Sequence, residues 1–257
     1  MKKFGNIITV SRNGRGVYDL DTVKGCKYGM ALNNCVCYGA CYAATIARRY
    51  GYDFSNSVLR RFESNNHEKL IIDSIKKINS SFIRIGTMGD PSECWGHTID
   101  ICNKIKCSGK QIVIVTKHFE EIPMYLLCNV KKLGLIINTS ISSLDTDDQI
   151  KIRLEQYKKL KEVCTSVLRV VTCNFNLSSM LGIIYNDIQN DLLKNDSIVE
   201  TALRIGINHE LVKNNVVHLD ARRFVNKKTT LTLRDNNIYL GKCQKCHDMC
   251  GLKYNNL

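Results

Sequence analysis

Cysteine is the residue type with the greatest capacity for chemistry in this sequence, and most of it falls in two clusters. The chain has 13 cysteines, of which seven form these clusters: Cys26, Cys35, Cys37 and Cys41 near the N-terminus, and Cys243, Cys246 and Cys250 near the C-terminus. No secretion signal precedes them and their number is odd, so a fully paired disulfide framework is not expected. Thiolates at this density repel one another unless a cation holds them, so both clusters predict metal or iron–sulfur sites.

The N-terminal cluster leaves the ligand set open. Three thiolates suit one iron–sulfur cluster with one open iron, whereas four suit a closed zinc or iron–sulfur site. We select Cys35, Cys37 and Cys41 as the cluster ligands, with Cys26 as the substitute for Cys35 or Cys37.

The C-terminal cluster predicts a second metal centre. Its Cys-x-x-Cys pair, Cys243 and Cys246, is typical of a zinc or iron–sulfur knuckle, and Cys250 follows closely. If the metal is zinc, His247 is the expected fourth ligand. If the centre is an auxiliary iron–sulfur cluster, the fourth ligand is expected from Cys26 or another distant cysteine, and the tail would then cap the mouth of the fold.

Short β-branched runs alternate with segments of helical apolar spacing, which predicts βαβ units and a parallel sheet. The predicted strands are Ile7–Val10, Phe82–Ile85, Ile112–Val115, Leu133–Ile137, Val167–Val171 and Val216–Leu219. The predicted helices are Cys41–Tyr50, Leu70–Ile78, Trp95–Ile105, Asp147–Val163 and Ser178–Leu193. A β-hairpin is predicted from Thr229–Thr232 and Ile238–Leu240.

About six such units fit either an α/β barrel or a doubly wound sheet. The sequence lacks the usual motifs of the doubly wound nucleotide-binding folds, because no Gly-x-Gly-x-x-Gly follows a strand and no Walker-type loop is present. We therefore expect a partial (β/α)6 TIM-like barrel over residues 1–225. A β-hairpin and a cysteine-rich, metal-binding extension should follow over residues 226–257.

The loop that ends in Cys41-Tyr42-Ala43 resembles that of the radical S-adenosylmethionine (SAM) superfamily. Four later segments resemble the spore photoproduct lyase-like group and its phage relatives: Ile83–Pro91, Ile114–Lys117, Asn138–Ser143 and Leu168–Val171. The likeness spans roughly residues 7–220. One departure is the spacing, because the family has Cys-x-x-x-Cys-x-x-Cys and this chain has Cys35-x-Cys37-x-x-x-Cys41.

This resemblance implies a [4Fe–4S] cluster whose open iron binds SAM, and an electron donor such as flavodoxin or ferredoxin. Reductive cleavage of SAM would give a 5′-deoxyadenosyl radical that removes hydrogen from a substrate. Cys173 is the candidate hydrogen donor, with a packing role as the alternative. The residues implied to contact SAM are Gly86, Thr87, Met88, Gly89, Asp90, Thr116, Lys117, Ser140, Ser142, Arg169 and Asn174.

The chain carries 37 Lys and Arg against 24 Asp and Glu, a net charge of +13. This excess indicates an anionic partner, with nucleic acid the first candidate, or else a solvated basic surface. The paired cations that could contact phosphates are Arg48, Arg49, Arg60, Arg61, Lys131, Lys132, Arg222, Arg223, Lys227 and Lys228.

The charge also supports an alternative function, a zinc-dependent nucleic-acid-modifying enzyme or binding protein on an α/β barrel. No apolar run is long enough for a transmembrane helix, and the N-terminal apolar run is too short for a signal peptide. We therefore expect no membrane partner and a cytoplasmic location.

Overall fold

The computed structural model describes residues 1–31, 37–219, 231–235, 238, 246 and 249–254. Its strands are β1 (Ser11–Arg12), β2 (Tyr18–Asp19), β3 (Val23–Lys24), β4 (Val58–Leu59), β5 (Phe82–Ile85), β6 (Gln111–Thr116), β7 (Ile136–Ile141), β8 (Thr165–Thr172), β9 (Ile198–Arg204) and β10 (Leu231–Thr232). Its helices are α1 (Lys27–Ala31), α2 (Tyr42–Arg49), α3 (Asn65–Lys77), α4 (Trp95–Ile105), α5 (Leu127–Leu133), α6 (Asp147–Lys161), α7 (Met180–Leu192) and α8 (Glu210–Lys213).

The main sheet has eight strands in the order β1-β2-β5-β6-β7-β8-β9-β10, and β3 pairs with β4 separately. The strands from β2 to β9 in this order run parallel, while β1 and β10 are antiparallel at the two edges. The parallel strands follow one another in chain order, without the reversal that defines a doubly wound sheet.

The helices on which the sheet packs cover a single face of it. Ile83, Ile114 and Ile137 point to this face and form one core with apolar residues of α3, α4 and α5. Farther along, Leu168 and Val170 share a second core with residues of α6 and α7. Helices on one side of a sequentially ordered parallel sheet are the arrangement of singly wound α/β folds.

The opposite face of the sheet carries an apolar layer near the strands' N-terminal ends, and the C-terminal segment Met249–Tyr254 covers it. Cys250, Leu252 and Tyr254 pack there against the residues that each strand contributes: Val17, Phe82, Val113, Ile136, Val167 and Val199. Two hydrogen bonds from side chains to backbone carbonyls fix the segment: Asn138 Nδ2 donates to Cys250 O at 2.9 Å, and Tyr254 OH donates to Ile198 O at 2.7 Å. We call residues 249–254 the C-terminal plug.

Above this apolar layer the same face is polar. Arg84 Nε contacts Asp19 Oδ1 at 3.1 Å, and Arg169 Nη2 donates to Asn138 Oδ1 at 2.9 Å. The register places these side chains one pleat closer to the strands' C-terminal ends than the apolar layer. The polar layer therefore lies between the plug and the C-terminal edge of the sheet.

Two of the predicted strands are wrong. Ile7–Val10 contributes only an isolated bridge from Ile7 to Arg61, and β2 is the first parallel strand instead. Val216–Leu219 likewise contributes one bridge, Phe175 to Val217, and the last parallel strand is β9, which the sequence analysis missed. The predicted strand that began at Leu133 also starts too early, because Leu133 ends α5 and β7 begins at Ile136.

The remaining predicted strands and helices are confirmed, with small shifts at their ends. In the predicted hairpin, Leu231–Thr232 is a strand, but it pairs with β9. Tyr239 and Leu240 lie outside the described residues. The boundary between residues 225 and 226 stays a prediction. Within the described part of the chain, no helix combines the length and apolarity needed to span a membrane.

Candidate functional site

Residues 37–41, the described end of the N-terminal cysteine loop, lie over the C-terminal edge of the sheet. Cys37–Gly39 forms a short 3-10 turn, and Cys41 is the N-cap residue that precedes α2. Tyr38 within the turn has a φ of 56°, in the left-handed region that costs a non-glycine residue about 1–2 kcal/mol. His209 Nε2 donates to Tyr38 O at 2.6 Å, since its Nδ1 already accepts from Leu211 N. Cys35 lies outside the described residues.

A buried charge network joins this loop to the ends of β6 and β7. Lys117, which follows β6, lies 3.5 Å from Asp145 Oδ1 and donates to the Tyr38 hydroxyl. Its ammonium also stands 4.1 Å from the centre of the Tyr38 ring, a cation–π geometry. Arg153 of α6 pairs with Asp145 and donates from Nε to Lys117 O at 2.6 Å. Two cations and one carboxylate thus lie beneath the cysteine turn.

The network shifts the pKa values of its members. Burial alone would raise the pKa of Asp145, but Lys117 and Arg153 outweigh burial and hold it below its ordinary value. Burial lowers the pKa of Lys117, and Arg153 adds to that effect. Burial also raises the pKa of the Cys37 thiol, as does neighbouring Cys41, while Lys117 opposes them. Lys117 and Arg153 are thus compensated by the carboxylate of Asp145 and, at the backbone of Lys117, by that of Asp90.

The loop after β5 is held by a carboxylate that the sequence analysis missed. Asp21 accepts from the backbone N–H groups of Gly86, Thr87 and Met88 at 3.2, 2.7 and 3.2 Å. Gly86 has a φ of 96°, and a Cβ there would lie 2.1 Å from Val115 O. At Gly89 a Cβ would lie 2.4 Å from Val23 O. At both positions the absence of a Cβ allows another segment of the protein's own backbone to approach closely.

Asp90 and Thr116 are bonded to each other and to the protein around them. Asp90 Oδ1 accepts from Thr116 Oγ1 at 2.6 Å and from both the backbone N and Oγ of Ser92, while Oδ2 accepts from Lys117 N at 2.7 Å. These bonds fix the position from which the Lys117 side chain extends. The structure thus brings the Gly86–Asp90 loop, Thr116, Lys117, Cys37 and Cys41 together.

The predicted SAM contacts on β7 and β8 differ in their surroundings. Ser142 is fully buried, and its Oγ donates to Val171 O at 2.8 Å. Ser140 and Arg169 belong to the face that carries the polar layer, and Arg169 Nε is buried there without a hydrogen-bond partner. Asn174 connects β8 to β10, because its N–H donates to Thr232 Oγ1 at 2.7 Å.

Cys173 lies just beyond β8, fully buried in an apolar cluster that the cysteine loop contacts through Tyr38 and Ala40. Gln189 of α7 fixes its backbone, accepting from Cys173 N at 2.8 Å and donating to Cys173 O at 3.1 Å. Burial raises the pKa of the Cys173 thiol, so the group is a neutral S–H. A neutral thiol is the form that a hydrogen donor requires, and it equally suits a packing role.

Of the C-terminal cysteines, Cys250 lies apart from this site. Cys250 is buried in the apolar layer near the strands' N-terminal ends, opposite the edge that carries Cys37 and Cys41. The expectation that the tail would cap the mouth of the fold is therefore wrong for the plug. Cys246 is half-buried, whereas Cys243 and His247 lie outside the described residues. The apolar packing of Cys250 provides no support for a second metal centre.

In the described ranges, no three His, Cys, Asp or Glu side chains are placed to hold a single metal ion. An iron–sulfur cluster makes a different demand, because each cysteine binds a separate iron atom and the ligands therefore stand farther apart. Cys37 and Cys41 are soft thiol donors at the edge where parallel α/β folds bind ligands. Their chemistry and position fit such a cluster, and the Lys117 side chain extends beneath the turn that carries Cys37.

Three residues of the site escaped the sequence analysis for different reasons. Asp21 and Tyr38 act through contacts with residues distant in the chain, so nothing local marks them. Arg153 did carry a signal, since it lies three residues after Ile150 and four before Tyr157 on the apolar face of α6. A cation on an apolar helical face predicts a buried partner, which here is Asp145.

The chain matches no family model and no curated protein. Its fold is similar to a solved structure of spore photoproduct lyase, a doubly substituted variant with bound AdoMet and dinucleoside spore photoproduct. The TM-score is 0.55 at 14% sequence identity, over 88% of this chain and 72% of that one. The predicted likeness to a radical SAM fold is thereby confirmed at the level of the fold.

Proposed function

We propose that this protein is a radical SAM enzyme. The observation that carries the proposal is a cysteine loop held over the C-terminal edge of a parallel sheet whose fold is similar to that of spore photoproduct lyase. A [4Fe–4S] cluster in this loop would pass one electron to SAM, whose carbon–sulfur bond then breaks to give methionine and a 5′-deoxyadenosyl radical.

We infer that the sheet is a partial barrel, on two sets of contacts. At the C-terminal edge, Tyr42 OH donates to Thr87 O beyond β5 at 2.6 Å, and the Arg204 guanidinium of β9 stands 5.9 Å from the Tyr42 ring. At the other end, the plug packs in one cluster with residues from β5 to β9. These contacts across non-adjacent strands are those of a curved sheet that surrounds a polar interior.

Within this interior the protein's own groups would position SAM. Lys117 supplies a cation for the carboxylate of SAM, and its position is fixed by Asp145, Arg153 and the bonds of Asp90. Asp21 holds the backbone of the Gly86–Met88 segment, which would border the ligand. The plug and the apolar layer exclude water from the opposite end of the interior.

The direct test is anaerobic reconstitution with iron and sulfide, followed by SAM and dithionite. We expect an absorbance near 400 nm and formation of 5′-deoxyadenosine. Replacing Cys37 or Cys41 with Ala should abolish both, while the Cys107→Ala variant, which removes an exposed thiol elsewhere, should retain them. A reconstituted wild-type chain that binds iron but forms no 5′-deoxyadenosine would contradict the proposal.

Cys173 is proposed as the hydrogen donor. In D₂O its thiol carries deuterium. When no substrate is present, transfer of that deuterium atom to the 5′-deoxyadenosyl radical would leave a thiyl radical on Cys173 and deuterium in the 5′-deoxyadenosine. We expect the Cys173→Ala variant to lower the deuterated fraction at least several-fold, as measured by mass spectrometry. An unchanged fraction would leave Cys173 with the packing role only.

Nucleic acid is the proposed substrate class, supported by the net charge of +13. Among the paired cations, Arg48, Arg49 and Lys131 are exposed, but Arg60 is buried and donates to Ile7 O and Thr9 Oγ1. Arg60 is thus wrongly predicted as a phosphate contact. Binding of a fluorescent oligonucleotide should weaken steeply with added salt, and an affinity independent of salt would contradict this assignment.

A further inference from the structure

Cys26, which lies upstream of the other loop cysteines in sequence, is adjacent to Cys37 in space. The surroundings of Gly29 on α1 show that the two cysteines are close together. A Cβ built on Gly29 would lie 2.9 Å from Cys26 Sγ and 3.3 Å from Cys37 Sγ. The two sulfur atoms therefore flank one point, and the absence of a side chain at Gly29 leaves space between them.

The position of Cys26 is fixed by its backbone and by the start of α1. Cys26 N donates to Phe54 O at 2.8 Å, and Cys26 Sγ accepts from Gly29 N at 3.2 Å. The side chain is 7% exposed. A backbone N–H bonded to sulfur is the kind of contact that stabilises a thiolate ligand. These contacts fix Cys26 in a position from which it can ligate iron before any cluster binds.

The third cysteine of the family spacing is missing from α2. Cys37-x-x-x-Cys41 keeps the first interval of that spacing, and Ala44 stands where the next cysteine would follow. Ala44 is buried in the same apolar cluster as Cys26, and Cys41 packs against that cluster as well. Cys26 and residue 44 therefore belong to one apolar cluster beside α2.

Building on the proposed function, we propose that the iron–sulfur cluster is bound by Cys26, Cys37 and Cys41, with Cys26 taking the place of a cysteine at position 44. Each thiol loses its proton to solvent as its sulfur–iron bond forms. Cys35, selected from the sequence, is then not a ligand. The ligand set is defined by three-dimensional position, and the chain supplies it from two separate elements, the start of α1 and the start of α2.

The test compares Cys26→Ala with Cys35→Ala after anaerobic reconstitution of the full chain. The readouts are iron and sulfide per chain, the absorbance near 400 nm, and the electron paramagnetic resonance (EPR) signal after reduction with dithionite. We expect Cys26→Ala to lose most of its iron and the signal, and Cys35→Ala to retain both. Retention of full iron and an unchanged signal in Cys26→Ala would overturn the proposal. Loss in both variants would indicate a four-cysteine site and would also overturn it.

Two further variants separate ligand loss from misfolding. Cys102→Ala, at a buried cysteine in the core between α4 and the sheet, is the matched control and should keep its iron. The double variant Cys26→Ala/Ala44→Cys should regain the iron and the EPR signal. Failure to regain them, in a chain whose circular dichroism matches wild type, would overturn the equivalence with position 44. If the wild-type chain itself assembles no cluster, the proposed function fails rather than this ligand assignment.

Discussion

Asp145 is the acceptor that both buried cations of the site share. Asp145→Asn would leave Lys117 and Arg153 buried beside each other without the carboxylate that they share. Breaking a buried ion pair in this way costs about 3–5 kcal/mol, so we expect a loss of that order in the free energy of unfolding measured with urea. Asp196→Asn removes the partner of exposed Lys161 and should cost less than about 1 kcal/mol. Equal effects of the two substitutions would contradict a buried network.

His118 provides a pH-dependent test at the same edge of the sheet. Burial lowers its pKa to about 3, while an unfolded histidine titrates near 6.5. Between these values the unfolded chain binds a proton that the folded chain does not, so stability falls as the pH decreases from about 6.5 toward 3. The slope from this one group is at most about 1.4 kcal/mol per pH unit. His118→Leu should flatten the urea-derived profile between pH 6 and 4, and an unchanged profile would contradict the buried neutral state.

At the residue scale, Lys117 and Cys37 could be predicted from the sequence, whereas the residues that contact them could not. Lys117 and Cys37 were predicted because strand ends and cysteine spacing are local features. Asp21, Tyr38 and His209 become part of the site only when loops from different strands meet. No pattern within a short window of sequence contains that information.

At the element scale, the turn after β5 depends on a residue without a side chain. Gly86→Ala would bring a Cβ to 2.1 Å from Val115 O at a φ of 96°. Gly51→Ala is the matched control, because Gly51 has a φ of 77° with open space around its Cα. The control should cost about 1–2 kcal/mol from backbone strain alone. Gly86→Ala should cost clearly more and lower the melting temperature further, and equal losses would contradict the close approach.

The strands missed or wrongly predicted show why the sequence pattern was insufficient at this scale. β2 is a two-residue strand, Tyr18–Asp19, whose inward group is a charged residue paired to Arg84. β9 contains Glu200 and Thr201, which break the apolar run. Val216 and Val217 are as buried as strand residues, but they pack as a loop in the cluster around Cys173. Burial rather than strand pairing produced their apolar pattern.

At the scale of the whole molecule, the C-terminal plug completes the core on the inner face of the sheet. A chain that ends at Asp248 would expose the apolar layer that Cys250 and the partly buried Leu252 and Tyr254 cover, and full burial of one large apolar side chain contributes about 1.5–3 kcal/mol. We expect a loss of at least about 1.5 kcal/mol in the free energy of unfolding, together with binding of the dye ANS. An unchanged urea midpoint without dye binding would contradict the role of the plug.

Removal of a single hydroxyl group perturbs the same contact less than truncation of the chain does. Tyr254→Phe removes the bond to Ile198 O and should cost about 0.5–1.5 kcal/mol, whereas Tyr50→Phe, at a side chain 66% exposed, should leave the urea midpoint unchanged.

The position of the plug in the chain also sets the order in which the molecule can form during synthesis. All the parallel strands leave the ribosome before residues 249–254 do, and chain elongation is slow, at about 5–20 residues per second. Until the plug emerges from the ribosome, the apolar layer of the sheet therefore stays exposed to water in the nascent chain. A pool of chains stalled before residue 249 should be captured by chaperones, whereas released full-length chains should not. In this order of synthesis, the plug can pack only after every strand of the main sheet has been made.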